Sequence, residues 1–284
     1  MINPNKTLDK MVEFINARRL NYFDLFMYYD GEWYSRTLKA LPSCQNCYSI
    51  TKGFTAAAIG IAVDMGLLSV DDTVAKFFDI YENVTIHHLL THTMGLEKGF
   101  LFEADRYKIA TDDWLDYCLK QPLKHTPGEK TTYSNSNFYL LSRIIHKVSG
   151  LKLDDFLRAH LFKPLGINDC AWASCPQGYP QGGTGLYLST KDMAKLGVLY
   201  LNNGVWDGKQ VISKEWVKNA TKSHTSPDYW AQFGYGLVVK ENGYQFAGAY
   251  NQFVYINTAD KTVTAAHGYT DGKSIGEIYE LYAN

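Results

Sequence analysis

The chain has 284 residues, of which 46% are hydrophobic and 20% are charged, and its formal net charge is −1. This composition is typical of a globular protein of one large or two interleaved domains, and it excludes a disordered chain. The near-neutral charge, without a run of basic residues, excludes the electrostatic pattern of a nucleic-acid-binding surface, and no segment is long and apolar enough to span a bilayer.

The first predicted element is an amphipathic helix. Leu8, Met11 and Ile15 recur on one helical face. The segment lacks the continuous apolar core of a signal peptide. We therefore expect a cytoplasmic protein as the chain is written, or an exported one if a signal segment has been removed.

Predicted strands lie near both ends of the chain. Residues 22–29 and 33–38 flank Asp30-Gly31, a dipeptide that favours a two-residue hairpin turn. Towards the other end, strands are predicted over 236–240, 244–247, 252–257 and 262–266, and a helix over 274–282. We expect residues 1–48 and 185–284 to form one α/β domain around an antiparallel sheet.

The middle of the chain, residues 49–184, predicts a mostly helical domain inserted between the two groups of strands. Pro127-Gly128, Pro164 and Gly166 mark breaks between its helices. Because pockets favour such junctions, we expect a cleft where the edge of the sheet meets the helical region.

Ser49 and Lys52 lie one helical turn apart at the start of this region, before an apolar run over 55–68. A serine hydroxyl needs a base within reach to act as a nucleophile, and a lysine on the same helix face could supply it. A second Ser-x-x-Lys, from Ser149 to Lys152, follows a helical pattern, and Gly150 marks it as a helix end. Ser49 is therefore the candidate nucleophile, against the alternative of a helix-capping serine and a solvated lysine.

The cysteines and histidines predict no metal site and no cofactor. Cys44 and Cys47 form a C-x-x-C pair, but Cys170 and Cys175 are spaced more loosely than in a zinc ribbon. An odd count of five cysteines favours reduced thiols. His88 and His92 lack the glutamate of a metalloprotease helix, so we expect structural roles for them.

Residues 127–135, Pro-Gly-Glu-Lys-Thr-Thr-Tyr-Ser-Asn, resemble the Pro-Gly and Tyr-Ser-Asn segment of the serine β-lactamase and penicillin-binding protein family. Residues 85–96, 185–192 and 203–209 resemble further landmarks of that family in the same order. The likeness runs from about residue 45 to residue 268. Within the family, the chain looks like the class C-like hydrolases, which include D-alanyl-D-alanine carboxypeptidases and esterases.

This resemblance implies a β-lactamase/transpeptidase-like fold, an antiparallel sheet flanked by terminal helices, with an inserted helical domain. It also implies a set of roles: Ser49 as the acylated nucleophile, Lys52 as proton acceptor or electrostatic activator, Tyr133 as the shuttle to the leaving group, and Asn135 as a partner of the substrate carbonyl or of the lysine.

The third motif of the family departs from the expected pattern here. The family has Lys or His, a variable residue and Gly, whereas this chain has Phe246-Ala247-Gly248. Phe246 then stands where a substrate-binding cation is expected, and the backbone N–H of Ala249 is the implied second oxyanion donor. The missing cation disfavours substrates that carry a carboxylate beside the reacting carbonyl.

We expect a serine hydrolase that works through an acyl-enzyme on a small ester, amide or peptide. One alternative is a penicillin-binding or ligand-sensing homologue with little turnover, because the third motif is degraded. Another is a structural protein that keeps only the fold. The expected partner is a small molecule and no nucleic acid, and the sequence leaves the oligomeric state open.

Overall fold

The computed structural model describes residues 2–40, 43–225 and 229–270 of the chain. Its strands, in chain order, are β1 (Tyr22–Tyr29), β2 (Glu32–Thr37), β3 (Gln45–Asn46), β4 (Ala171–Trp172), β5 (Leu186–Leu188), β6 (Val205–Trp206), β7 (Lys209–Gln210), β8 (Val238–Lys240), β9 (Gly243–Ala247), β10 (Phe253–Asn257) and β11 (Thr262–Gly268). Its α-helices are α1 (Pro4–Ala17), α2 (Thr51–Asp64), α3 (Ala75–Phe78), α4 (Ile86–Leu90), α5 (Trp114–Leu119), α6 (Asn135–Ser149), α7 (Leu153–Leu157), α8 (Thr190–Leu201) and α9 (Lys214–Ala220). Short 3₁₀ turns lie at Tyr48–Ile50, Glu103–Lys108 and Ala249–Asn251, and a π-helical turn follows α7 at Arg158–Phe162.

Six strands from both ends of the chain form the main antiparallel sheet, in the order β2-β1-β11-β10-β9-β8. Asp30 and Gly31 both have positive φ, 50° and 84°, as a two-residue hairpin turn between β1 and β2 requires. Strand β1 then pairs along the whole of β11, from Tyr22 opposite Gly268 to Tyr29 opposite Thr262. The predicted antiparallel sheet is therefore confirmed, while the helix predicted over 274–282 lies outside the described residues.

Helices cover both faces of this sheet. On one face, α1 packs Leu8, Met11 and Ile15 against a cluster that includes Leu25 and Phe253. On the other face, α8 lies so close to β10 and β11 that a Cβ added at Gly197 would be 2.7 Å from Val254 Cγ1.

The core on the α8 side continues without interruption into the helical region, through α2, α4 and α6. The small sheet β3-β5-β4 also joins residues from both parts of the chain. The domain boundaries predicted from the sequence stay a prediction. Among the helices of the described ranges, none is long and apolar enough to cross a membrane.

Helix α2 is buried on nearly all sides, as expected for a helix that is apolar around its whole circumference. It begins at Thr51, four residues earlier than the apolar run suggested. The second Ser-x-x-Lys falls where the sequence indicated: α6 ends at Ser149, and Gly150 caps it in the left-handed conformation at φ 74°. The two motifs therefore occupy opposite ends of different helices.

Candidate active site

Ser49 lies in the 3₁₀ turn that connects β3 to α2, and two glycines allow other segments to approach this turn closely. A Cβ added at Gly248 would lie 2.8 Å from the carbonyl oxygen of Cys47. A Cβ added at Gly236 would lie 2.6 Å from the carbonyl oxygen of Lys52. Real Cβ atoms do not tolerate such distances, so only glycine permits this packing.

The amine of Lys52 has three hydrogen-bond partners. It donates to Asn135 Oδ1 at 2.6 Å and to the carbonyl oxygen of Gly183 at 2.7 Å, and it lies 3.1 Å from Ser49 Oγ. Lys52 is only 2% exposed, and burial lowers its pKa well below the usual lysine value. A neutral amine has two N–H bonds and one lone pair. With both N–H bonds given to the carbonyl oxygens, the lone pair points at Ser49 Oγ.

Tyr133 contacts the same serine from another side. Its hydroxyl donates to Ser49 Oγ at 2.8 Å, and the Lys52 amine lies 4.7 Å from the centre of its ring. Burial raises the pKa of Tyr133 to about 12, although the hydrogen bond to Ser49 opposes part of this shift. The phenol therefore stays protonated at neutral pH. Shifts in opposite directions separate a proton acceptor, Lys52, from a proton donor, Tyr133.

Asn135 is placed by the start of α6. Ser134 is the N-cap, and its side chain accepts from the backbone N–H of Ser136. Asn135 Nδ2 donates to the carbonyl oxygen of Leu101 at 3.1 Å, which turns Oδ1 towards Lys52. Three consecutive residues of the Tyr-Ser-Asn motif thus supply a proton donor, a helix cap and a hydrogen-bond acceptor for Lys52.

Ser49 and Ala249 offer backbone N–H groups at the site. In the described part of the chain, neither N–H is given to a protein acceptor. The ladder between β8 and β9 ends where Val238 faces Gln245, so β9 is unpaired on that side as it approaches Gly248 and Ala249. Gly248 and Ala249 both line the cavity, and their predicted contacts with substrate stay a prediction.

The substrate-contacting role predicted for Phe246 is wrong. Phe246 is fully buried beneath the site, where a Cβ added at Gly53 would lie 2.4 Å from its ring, and it packs edge-on against Tyr200. Because side chains alternate along a strand, Gln245 and Ala247 point to the other face, and both line the cavity.

The cavity in front of Ser49 has a volume of about 810 Å³. Tyr229, Trp230 and Phe233 form an aromatic lip, and Trp230 is 73% exposed. No aspartate or glutamate occurs among the described residues that line it. Besides the buried Lys52, the one charged side chain in that described lining is Lys240, at the end of β8.

His92 also lines this cavity, although the sequence indicated only a structural role. Its ring centre lies 4.5 Å from that of Tyr133, and its Nδ1 accepts from the backbone N–H of Ser134 at 3.2 Å. Burial and the nearby Lys52 lower the pKa of His92 well below its usual value, so the imidazole is neutral. The signal available in the sequence was its position inside the family-like stretch 85–96.

The cysteines of the C-x-x-C pair do not join the site as a cluster of ligands. Cys44, Cys47, Cys170 and Cys175 are all free thiols. Within the ranges that the structure describes, no three His, Cys, Asp or Glu side chains lie close enough together to hold a metal ion.

Sequence comparisons identify relatives of the chain. A family model for beta-lactamases matches residues 45–272. A penicillin-binding protein of Bacillus subtilis is 37% identical over 129 residues, which cover 43% of this chain and 29% of the relative. A putative penicillin-binding protein of the same species is 25% identical over 241 residues, 75% of this chain and 58% of the relative. The matches thus span between 29% and 58% of these relatives' own length.

Structural comparison extends the likeness over nearly the whole chain. The octameric penicillin-binding protein homologue from Pyrococcus abyssi superposes with a TM-score of 0.80 at 24% identity, covering 99% of this chain and 76% of that one. At this identity the likeness establishes the fold. Because the family match also covers most of the chain, including the segments that carry Ser49, Lys52, Tyr133 and Asn135, the chain belongs to the beta-lactamase family.

Proposed function

We propose that the chain is a serine hydrolase that forms an acyl-enzyme on Ser49 with a small ester, amide or peptide. The observation that carries this proposal is the position of Ser49 Oγ between a buried amine at 3.1 Å and a phenol at 2.8 Å, in front of an open cavity. A nucleophile with a base and an acid both within hydrogen-bond reach is the arrangement that acyl transfer needs.

Acylation begins when neutral Lys52 accepts the Ser49 proton and Oγ attacks the substrate carbonyl carbon. The carbonyl oxygen becomes an oxyanion, which the N–H groups of Ser49 and Ala249 stabilise. Collapse of this intermediate breaks the bond to the leaving group, which takes the proton of Tyr133. The Lys52 ammonium then returns a proton to Tyr133. Deacylation runs these transfers in reverse: Tyr133 passes its proton to Lys52 and takes one from the attacking water, and the Lys52 ammonium gives its proton to Ser49 Oγ as the acyl bond breaks.

The cavity favours an uncharged group around the reacting carbonyl. Phe246 supplies no cation beside Ser49. Lys240 pairs with Gly243, which precedes Ala247 by four residues on β9. At about 3.4 Å per residue, that is roughly 14 Å along the strand. The aromatic lip of the same cavity suits an apolar substituent.

The test uses the two Ser-x-x-Lys motifs as a matched pair. Intact mass after exposure to a fluorophosphonate should show one adduct, and Ser49→Ala should abolish it, whereas Ser149→Ala should not. Hydrolysis of a p-nitrophenyl ester should fall on the order of 10³-fold or more in Ser49→Ala and in Lys52→Ala, since groups that act as one unit lose activity together. The Lys152→Ala variant should retain p-nitrophenyl ester hydrolysis. Activity that survives in Ser49→Ala would refute the assignment.

A penicillin-binding homologue with little turnover is the second candidate, and the names of the two Bacillus subtilis relatives favour it. In that case a penicillin should leave an adduct on Ser49 that persists for hours, while ester hydrolysis stays near background. Fast ester turnover without a persistent penicillin adduct would support the hydrolase instead.

A further inference from the structure

Two aromatic residues with left-handed backbone flank the N–H groups of Ser49 and Ala249. Tyr48, with φ 45°, directly precedes Ser49, and Tyr250, with φ 60°, directly follows Ala249. A positive φ is rare and strained for bulky residues, so it persists only where the surroundings enforce it. The backbone is therefore strained on both sides of the proposed oxyanion site.

The turn that follows Ala249 is held in place by Thr270, which lies just after β11. The backbone N–H of Thr270 donates to the carbonyl oxygen of Tyr250 at 3.2 Å, and Asn251 Nδ2 donates to the carbonyl oxygen of Thr270 at 2.9 Å. The hydroxyl of Tyr22, at the start of β1, donates to the carbonyl oxygen of Asn251 at 2.9 Å. The turn after Ala249 is thus attached to the centre of the main sheet.

The nucleophile turn is attached at both ends to β5, since the backbone N–H of Cys47 donates to the carbonyl oxygen of Leu186 at 2.8 Å and the N–H of Leu186 donates to Thr51 Oγ1 at 3.3 Å. The backbone N–H of Tyr48 donates to Asn46 Oδ1 at 2.9 Å, and the turn packs against Gly248. The Tyr48 ring, however, meets the Tyr250 ring edge-on, with 5.1 Å between centres and 70° between planes. Tyr250 in turn stacks on Tyr269 at 3.9 Å and 19°. Aromatic pairs in edge-on and stacked arrangements contribute stability beyond their buried area.

We propose that the Tyr48–Tyr250 ring contact, supported by Tyr269, braces the nucleophile turn against the end of β9 and sets the spacing of the Ser49 and Ala249 N–H groups. The two tyrosines are positioning residues, because they act through the backbone of their neighbours. This inference rests on the proposed function, since it assigns the brace to the oxyanion of the acylation step.

The test removes the ring without changing the backbone preference. Asparagine tolerates the left-handed region, so Tyr250→Asn deletes the contact at little backbone cost, whereas Tyr250→Phe keeps it. We expect Tyr250→Asn to lower kcat for a p-nitrophenyl ester about 10- to 100-fold, with KM within about twofold, because loss of a whole oxyanion donor costs about 10²–10³. Tyr250→Phe should stay close to wild type. Tyr107→Asn, at a tyrosine 80% exposed outside the cavity lining, is the matched control.

A thionoester separates positioning from general structural damage. Sulfur is larger than oxygen and accepts hydrogen bonds weakly, so an intact oxyanion site favours the oxoester strongly. We expect the oxoester-to-thionoester ratio of kcat/KM to fall in Tyr250→Asn and in Tyr48→Asn, and to stay unchanged in Tyr250→Phe. In the double variant Tyr48→Asn/Tyr250→Asn the losses should be less than additive, because each single change already breaks the same Tyr48–Tyr250 contact.

The outcomes distinguish the brace from the function beneath it. If the wild-type protein gives no fluorophosphonate adduct on Ser49, the proposed function fails and the brace fails with it. If Ser49 reacts normally but Tyr250→Asn keeps wild-type kcat and the same thionoester ratio, the brace alone is refuted. If Tyr250→Asn does not fold, Tyr48→Asn and Tyr269→Asn decide the question by the same ratio.

Discussion

At the scale of single residues, burial is the main cause of the protonation states of Lys52, His92 and Tyr133. Burial lowers the pKa of Lys52 and of His92 and raises the pKa of Tyr133 to about 12, because each neutral form is easier to keep away from water. The lowered pKa of Lys52 favours the free amine, and the raised pKa of Tyr133 keeps the phenol protonated. Neither has to exchange a proton with solvent before the substrate arrives.

This arrangement predicts a one-sided pH profile. Acylation needs neutral Lys52, so kcat/KM for an uncharged ester should rise with pH through the lowered pKa of Lys52 and then level off. Tyr133, whose pKa is about 12, should cause no decline below about pH 11. Initial rates measured across the stable pH range check this. A bell-shaped profile with a decline near neutral pH would contradict it, because it would mean that an essential acid loses its proton far below the raised pKa of Tyr133.

The role of Tyr133 predicts a dependence on the leaving group. A phenol that protonates the leaving group matters little for p-nitrophenolate, which departs without help, and greatly for an alkoxide or an amine. Tyr133→Phe should therefore reduce kcat/KM about 10²-fold for an alkyl ester and less than about tenfold for the p-nitrophenyl ester. The two esters serve as controls for one another. An equal loss for both would assign Tyr133 to activation of Ser49 instead.

At the scale of elements, β9 shows how one strand serves two purposes. Its residues alternate between Phe246, which fills the space beneath Gly53, and Gln245 and Ala247, which face the cavity. The strand was predicted from its pattern with nearly the observed bounds. The sequence did not predict which residues of β9 face the core and which face the cavity. Strand alternation identifies two sets of residues without saying which helix lies against each set.

Strand β9 also yields a stability prediction. Phe246→Lys should lower the free energy of unfolding by at least about 3 kcal/mol, because it buries an unpaired ammonium and leaves a void against Gly53. It should not accelerate acylation by a penicillin. Ala247→Lys is the matched control on the opposite face and should cost much less stability. Denaturant titration with penicillin labelling measures both. A stable Phe246→Lys protein that acylates faster would show that this face reaches the ligand.

The element scale also shows which site residues a sequence can reveal. Ser49, Lys52, Tyr133 and Asn135 lie within short motifs, and the structure brings all four together. Gly183 has no side chain and lies in a loop. It contributes its backbone carbonyl oxygen, which accepts a hydrogen bond from Lys52. A backbone acceptor of this kind depends on how two distant segments pack, so no local sequence pattern predicts it.

At the scale of the whole molecule, the core does not divide at the boundaries suggested by the secondary-structure pattern. One cluster of buried side chains extends from β9, β10 and β11 through α8 into α2, α4 and α6. The sequence pattern separates strand-rich ends from a helical middle because periodicity reports local structure. It does not report that α2 and α8 bury their surfaces against the same neighbours.

A continuous core predicts cooperative unfolding. Thermal denaturation followed by far-UV circular dichroism and by tryptophan fluorescence should give coincident single transitions, because the helical region and the sheet share one set of buried contacts. The Ser49→Ala variant, which we expect to keep the fold and to lose turnover, is a suitable control for ligand effects. Two separate transitions would instead support two independently stable domains.

The glycines that surround the nucleophile turn have a consequence for sequence divergence. Gly53, Gly236 and Gly248 each lack room for a β-carbon, so these positions have almost no freedom to change while the chemistry is kept. The lip residues Tyr229 and Trp230 line the cavity, and Trp230 is 73% exposed. Mutation can therefore alter the lip and leave the turn intact, so that descendants of this chain could acquire new substrates long before they acquire a new reaction.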